Sequence, residues 1–202
     1  MAKTSQNWLN GLDNVTLDIA AVFASNYSIK TYGSEIAKDL DLPQRTVSRK
    51  LNILTKIGVL TYMPEGRNKL YSLNKNNPLS KTYLTFLETY KAICFFLKWP
   101  KIALMLESVL KECGCVVFGS YAAGNPKGGS DLDLLFFSKK ESKVKEALKT
   151  AFIEVHAQFL SYNEFNQSLK NKKTLATEIA FKHIILNDFD NIINLFWGYY
   201  LG

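Results

Sequence analysis

At 202 residues, 47% of them hydrophobic, the chain is long enough for one large or two small domains and apolar enough to pack a core. No apolar run approaches the roughly 20 residues of a membrane helix, Met1-Ala2-Lys3-Thr4-Ser5-Gln6 lacks a signal-peptide core, and Cys94, Cys113 and Cys115 form neither a C-x-x-C pair nor an even set. The expectation is therefore a cytoplasmic protein with buried thiols, without membrane insertion, secretion, a disulfide framework or one of the usual zinc spacings. The net charge of +7 is concentrated, with seven basic residues (Arg45, Arg49, Lys50, Lys56, Arg67, Lys69, Lys75) against the single acid Glu65 between Leu42 and Lys75. Clustering of this kind is an electrostatic footprint for a polyanion.

In chain order, apolar residues recur at helical spacing from Asp13 to Ala24, and Ser34 to Leu40 reads as a short helix with Ser34 near its N-cap. A turn at Asp41-Leu42 leads to a helix from Pro43 to Ile57, with Pro at the first helical position and Gly58 as its C-terminal stop. Val47, Leu51 and Leu54 share its inward face, whereas Gln44, Arg45, Ser48, Arg49 and Asn52 lie outward. Arg, Gln and Asn read base edges by paired hydrogen bonds. Val59 to Met63 and Lys69 to Leu73 then read as hairpin strands joined through Pro64 to Asn68.

The stretch from Glu35 to Leu73 resembles the winged helix-turn-helix of prokaryotic transcription regulators. The resemblance implies double-stranded DNA as partner, with the Pro43–Ile57 helix in the major groove and the hairpin's Arg67 and Lys69 on the backbone or in the minor groove.

Asn74 to Pro78 is a polar breaker, and a long helix from Leu79 to Trp99 follows, closed by Pro100. Tyr83, Leu84, Leu87, Tyr90, Ile93, Cys94 and Leu97 form its expected apolar face, one suited to packing on either domain or on a second copy as a homodimer. The expected organisation is a DNA-binding domain at 1–78, a connecting helix at 79–100 and a catalytic-type domain at 101–202, in an α/β (α+β) fold. A helix from Lys101 to Glu112 opens the last part.

The glycines gather between two apolar runs, in CVVFGSYAAGNPKGGSDLDLLFF from Cys115 to Phe137. Val116 to Phe118 and Leu132 to Phe137 read as strands, and alternation points Asp131 and Asp133 the same way at the start of the second. Paired carboxylates repel each other and invite Mg²⁺ or Mn²⁺, which oxygen ligands suit. Gly119-Ser120 lets backbone N–H groups approach an anion, with a following helix offering its N-terminus. Phosphate on one side and metal on the other is the reading of this segment. A P-loop is excluded, because Gly128-Gly129-Ser130 lacks the Lys.

Gly119, Ser120, Ala122, Gly124, Ser130, Asp131, Asp133, Leu134 and Leu135 together resemble the signature of the nucleotidyltransferase superfamily, particularly its minimal branch. The resemblance implies a mixed sheet flanked by helices and an NTP held by Gly119, Ser120, Gly124, Lys127 and Ser130, with Asp131 and Asp133 on the metal. Many relatives carry a basic residue where this chain has Ala123; Lys127 is read either as its substitute on the phosphate or as a solvated loop lysine. The family also has a third carboxylate on the neighbouring strand, here Phe152 to Leu160, where alternation puts Glu154, His156 and Gln158 on one face. Alignment on the strand end places it at Gln158, which cannot act as a base; Glu154 substitutes if the register differs, and His156 is a proton acceptor between them. Helices are expected at Lys140–Thr150, Tyr162–Leu169, Leu175–Lys182 and Asp188–Tyr200.

The expected protein is a winged-helix DNA-binding protein whose second domain binds NTP and Mg²⁺ and moves a nucleoside monophosphate to a hydroxyl. The alternatives are a non-catalytic regulator that senses nucleotide or mediates assembly, and, on resemblance alone, an antitoxin-type minimal nucleotidyltransferase.

Overall fold

The computed structural model describes residues 13–139 and 141–201. Met1 to Gln6 and the Lys140 start expected for a helix lie outside the described residues. The chain divides into two compact units between Leu87 and Glu88.

The first unit begins with α1 (Asn14–Ser25), capped by Asp13, whose carboxylate accepts the Thr16 N–H at 3.1 Å and hydroxyl at 2.7 Å. It continues through β1 (Thr31–Tyr32), α2 (Gly33–Asp39), α3 (Gln44–Lys56), β2 (Leu60–Glu65) and β3 (Asn68–Leu73). The strands form an antiparallel sheet in the order β1-β3-β2. Helix α3 packs against α1, α2 and β2, and Val47, Leu51 and Leu54 are fully buried as their spacing requires.

Details of this unit differ from expectation. Ser34 lies inside the first turn of α2 rather than at its cap, because Glu35 reaches back to accept the Thr31 hydroxyl at 2.7 Å and the Tyr32 N–H at 3.1 Å. Pro43 stands at the N-cap of α3, one residue before the first helical position. The hairpin loop contracts from Pro64–Asn68 to Gly66-Arg67, with Pro64 opposite Lys69 inside the ladder. β2 is an edge strand, where a residue without an N–H is tolerated, and Gly66 at φ 59° supplies the left-handed residue a tight turn needs. Asn74 and Asn77 donate to the Gly58 carbonyl at 3.0 and 3.1 Å, which ties the polar segment back onto the end of α3.

Helix α4 (Pro78–Lys98) contains the division between the units. Its expected apolar face holds for Tyr83, Leu84 and Leu87, which are buried, and fails beyond them. Ile93, Cys94 and Leu97 are exposed, whereas Glu88, Ala92 and Phe95 are buried. A charged residue heads the buried face of the second half, and apolar periodicity cannot signal that.

The second unit contains α5 (Pro100–Leu110), β4 (Gly114–Val117), α6 (Gly119–Ala122), β5 (Leu132–Phe137), α7 (Glu141–Leu148), β6 (Val155–Phe159), α8 (Tyr162–Lys170), α9 (Thr174–Phe181), β7 (Ile184–Ile185) and α10 (Phe189–Leu201). It is an α+β domain with a mixed sheet ordered β6-β5-β4-β7, in which β5 and β6 run parallel and the other pairs antiparallel. Alternation along β5 sends Leu132, Leu134 and Phe136 into a core with Ile102, Leu106, Val109 and Val144. Phe137, on the opposite face, stacks on Tyr162 at 4.5 Å and meets Phe165 edge-on at 5.4 Å. Asp133 shares that second face at its uncovered end.

Strand β6 is shorter than Phe152–Leu160. Its parallel partner starts at Leu132, opposite Val155, so Phe152 and Ile153 have no strand beside them and Glu154 contributes only its carbonyl to the pair. Among the described residues no helix is long and apolar enough to cross a membrane.

Candidate functional site

Strand β4 ends at Val117, and the chain turns through Gly119, at φ 66°, into the single turn α6. A Cβ at Gly119 would overlap the Asp133 carboxylate, whose Cγ lies 2.9 Å from that position. The Phe118 N–H donates to the Asp133 carbonyl at 3.1 Å. Glycine is therefore required twice over, for its backbone conformation and for the close approach to Asp133.

Gly124 and Gly129, at φ 79° and 85°, shape the rest of the loop. The Ser130 hydroxyl accepts the Lys127 N–H at 2.8 Å, while the Ser130 N–H donates to the Lys127 carbonyl at 3.0 Å. Ser130 thus closes the turn that delivers Asp131. Lys127 and Gly124 are exposed and Ser120 is half-buried. Helix α6 is too short to build a macrodipole of the size a long helix has, so the loop offers an anion mainly individual N–H groups.

Strand register decides what faces the aspartates. Asp133 pairs with His156, and Leu135 with Gln158. Gln158 is thus two residues further along β6, opposite Leu135, and the position opposite Asp133 belongs to His156, a long-range pairing that no local pattern states. Glu154 lies just before β6, its carbonyl accepting the Leu132 N–H at 2.9 Å.

The side chains converge on the imidazole. His156 Nε2 lies 3.6 Å from Asp131 Oδ2 and 3.6 Å from Glu154 Oε1, and His156 Nδ1 lies 3.5 Å from Asp133 Oδ1. Asp131, Glu154 and His156 can each present a ligand atom within 4.8 Å of the others, a donor set that fits a divalent cation. The carboxylates of Asp131 and Asp133 are 37% and 27% exposed, sheltered yet within reach of solvent. Asp131, expected on the metal together with Asp133, belongs to this group, and Asp133 lies against the other ring nitrogen. Alternation of Glu154, His156 and Gln158 was the available signal, lacking only the register.

In the first unit, Gln44, Arg45, Ser48, Arg49 and Asn52 are all exposed on α3, and Arg67 and Lys69 are exposed on the hairpin. A cleft of about 250 Å³ lies between them, lined among others by Tyr32, Ser34, Gln44, Ser48, Arg67 and Lys69. Lys69 Nζ sits 4.3 Å over the Tyr62 ring. Lys50 leaves the basic surface, since its buried side chain pairs with Asp13 at 2.5 Å. Burial works against the charge of Asp13, yet hydrogen bonds from Lys50 and Thr16 hold its carboxyl below the usual range.

A protein-family model described as a nucleotidyltransferase domain matches residues 102–187, and a nucleotidyltransferase-like domain occupies that stretch. It runs from α5 through β7 and includes the glycine turn, both aspartates, Glu154 and His156. Searches of curated proteins and of solved structures returned no significant match.

Proposed function

We propose that the nucleotidyltransferase-like domain binds a nucleoside triphosphate with a divalent cation, Mg²⁺ or Mn²⁺, and donates a nucleoside monophosphate to a hydroxyl acceptor, while the N-terminal unit binds double-stranded DNA. The observation that carries the first part is the convergence of Asp131, Glu154 and His156 beside the Gly119 turn. Gly119 and Ser120 would receive phosphate oxygens on backbone N–H groups, with Gly124, whose own N–H closes the turn onto the Tyr121 carbonyl at 3.1 Å, and Lys127 and Ser130 at the rim of the same loop. A bound cation supplies charge neutralisation to the phosphates, which lowers the barrier to an incoming oxygen.

In the transfer, the acceptor oxygen bonds to the α-phosphorus and the bond from that phosphorus to the α–β bridging oxygen breaks. Pyrophosphate leaves with the bond's electron pair. The hydroxyl proton passes to Glu154, an exposed carboxylate at the cluster's edge.

The DNA part is supported by the order helix, strand, helix, helix, strand, strand, the order a winged helix-turn-helix would have, and by the outward Gln44, Arg45, Ser48, Arg49 and Asn52. The cleft between α3 and the hairpin suits a phosphate backbone, with Arg67 and Lys69 on one wall.

A second reading, a DNA-binding regulator that binds nucleotide without turnover, is favoured by His156 standing opposite Asp133 in place of a carboxylate. Incubation with α-labelled NTPs, divalent cation and hydroxyl acceptors, comparing the native chain with Asp131→Ala/Asp133→Ala, separates them. Transfer of label with pyrophosphate release by the native chain alone supports the enzyme. Metal-dependent nucleotide binding without transfer supports the regulator, and neither in the native chain defeats both.

A further inference from the structure

We infer that the cation site prefers a divalent transition ion that accepts imidazole, represented by Mn²⁺, over Mg²⁺, with Asp131, Glu154 and His156 Nε2 as its ligands and Asp133 orienting the ring through Nδ1. This rests on the cation site of the proposed function and names the ion it selects.

One imidazole gives a single ion only one of its nitrogens, and the structure distinguishes them. Nε2 is the nitrogen with two carboxylate oxygens beside it, each at 3.6 Å, whereas Nδ1 faces Asp133 alone at 3.5 Å. Donors bound at roughly 2.0–2.2 Å to a four- to six-coordinate ion stand about 3 to 3.6 Å from their neighbours, a spacing that Nε2 already keeps to both carboxylate oxygens, with all three atoms within 4.8 Å of one another. A carboxylate on the second nitrogen is the usual means of fixing the tautomer and orientation of a metal-binding histidine.

The arrangement comes from the parallel register. Asp133 and His156 are cross-strand partners, and Asp131 and Glu154 each stand two residues earlier, just before the two strands begin. Mg²⁺ keeps to oxygen donors in a near-octahedral shell; Mn²⁺ shares its fit to carboxylates but, as a first-row transition ion, also accepts a nitrogen donor. One nitrogen among two carboxylates therefore shifts selectivity away from Mg²⁺.

The test is titration of the full-length chain with Mn²⁺ at fixed pH, read by loss of the free-ion electron paramagnetic resonance signal, with Mg²⁺ measured by competition. Native chain, His156→Asp and His156→Gln are compared after circular dichroism shows each folded. The inference expects His156→Asp to move the Mn²⁺/Mg²⁺ affinity ratio toward Mg²⁺ by about tenfold or more, and His156→Gln to weaken Mn²⁺ far more than Mg²⁺. An unchanged ratio in both variants overturns it, as does a native chain that binds no Mn²⁺. NTP binding measured in parallel keeps the two claims apart. An unchanged ratio with Mg²⁺-dependent NTP binding removes only the ion preference; a shifted ratio without NTP binding supports the preference and removes the nucleotide function.

Discussion

Asp133 and His156 are direct partners across the parallel β5–β6 pair, with Asp133 Oδ1 3.5 Å from His156 Nδ1. This contact brings a histidine between carboxylates at the open end of the sheet. It also makes the glycine loop dependent on Asp133, because the same carboxylate fills the space beside Gly119.

Gly119→Ala should therefore damage fold and site together. A left-handed φ and an overlap with Asp133 predict a loss of about 1–3 kcal/mol, with Asp133 displaced from His156. Urea unfolding measures the first effect, and metal-dependent NTP binding should fall by about tenfold or more. Native-like stability and nucleotide affinity in the variant would contradict this account of the loop.

The basic surface makes a separable prediction. Arg67→Ala and Lys69→Ala should each lower the slope of log affinity against log salt for duplex DNA by about one, the sign of a lost phosphate contact. Arg45→Ala and Arg49→Ala should weaken binding from the helix side, whereas Lys50→Ala should reduce stability through its pairing with Asp13. Fluorescence anisotropy across a potassium chloride series distinguishes them. Equal salt slopes in all variants would count against the hairpin contact.

A buried charge network predicts acid sensitivity of the second unit. His183 Nε2 lies 3.2 Å from Glu88 Oε1, Lys91 pairs with Glu88 at 2.9 Å, His183 Nδ1 faces the Ile179 carbonyl at 3.0 Å, and Phe196 stacks on the ring at 4.3 Å. Burial pulls the His183 pKa down against the opposing pull of Glu88. For Glu88 burial pushes upward, but Lys91 and His183 outweigh it and hold the carboxyl below its ordinary value. Both groups are depressed in the folded state, so the unfolded chain takes up protons first on acidification. Stability should fall as pH drops below about 6.5, the ordinary histidine value, and further below about 4.3 as carboxylates titrate. Urea midpoints from pH 8 to 4 test it, and His183→Gln should flatten the upper limb.

Asn187 is a polar clamp at the end of the family-matched stretch. Its side chain accepts the Cys115 N–H at 2.8 Å and donates to the carbonyls of Leu110 and Cys113 at 2.6 and 2.9 Å. Asn187→Ala leaves these groups unpaired, and a destabilisation of about 1–3 kcal/mol is expected by urea denaturation. A change within error would mean that water replaces the clamp.

What could be read from the chain follows the range of each signal. Local patterns sufficed for α3, whose Val47, Leu51 and Leu54 repeat, and for the apolar strands around Gly119 to Asp131. The two-residue strands β1 and β7 are too short to show periodicity, so Thr31–Tyr32 and Ile184–Ile185 went unexpected. Glu88 and His183 meet across 95 positions of sequence, beyond any local pattern. The cross-strand partner of Asp133 was missed for the same reason, since nothing within 152–160 states which residue stands opposite it.

The central claim is a nucleotide and cation site at Asp131, Asp133, Glu154 and His156. Calorimetric titration of NTP into the native chain and into Asp131→Asn/Asp133→Asn, with Mn²⁺ and with the ion chelated, tests it most directly. The account predicts saturable binding to the native chain that requires the ion and is lost in the double variant. Equal binding by both proteins, binding indifferent to the ion, or none to the native chain would contradict it.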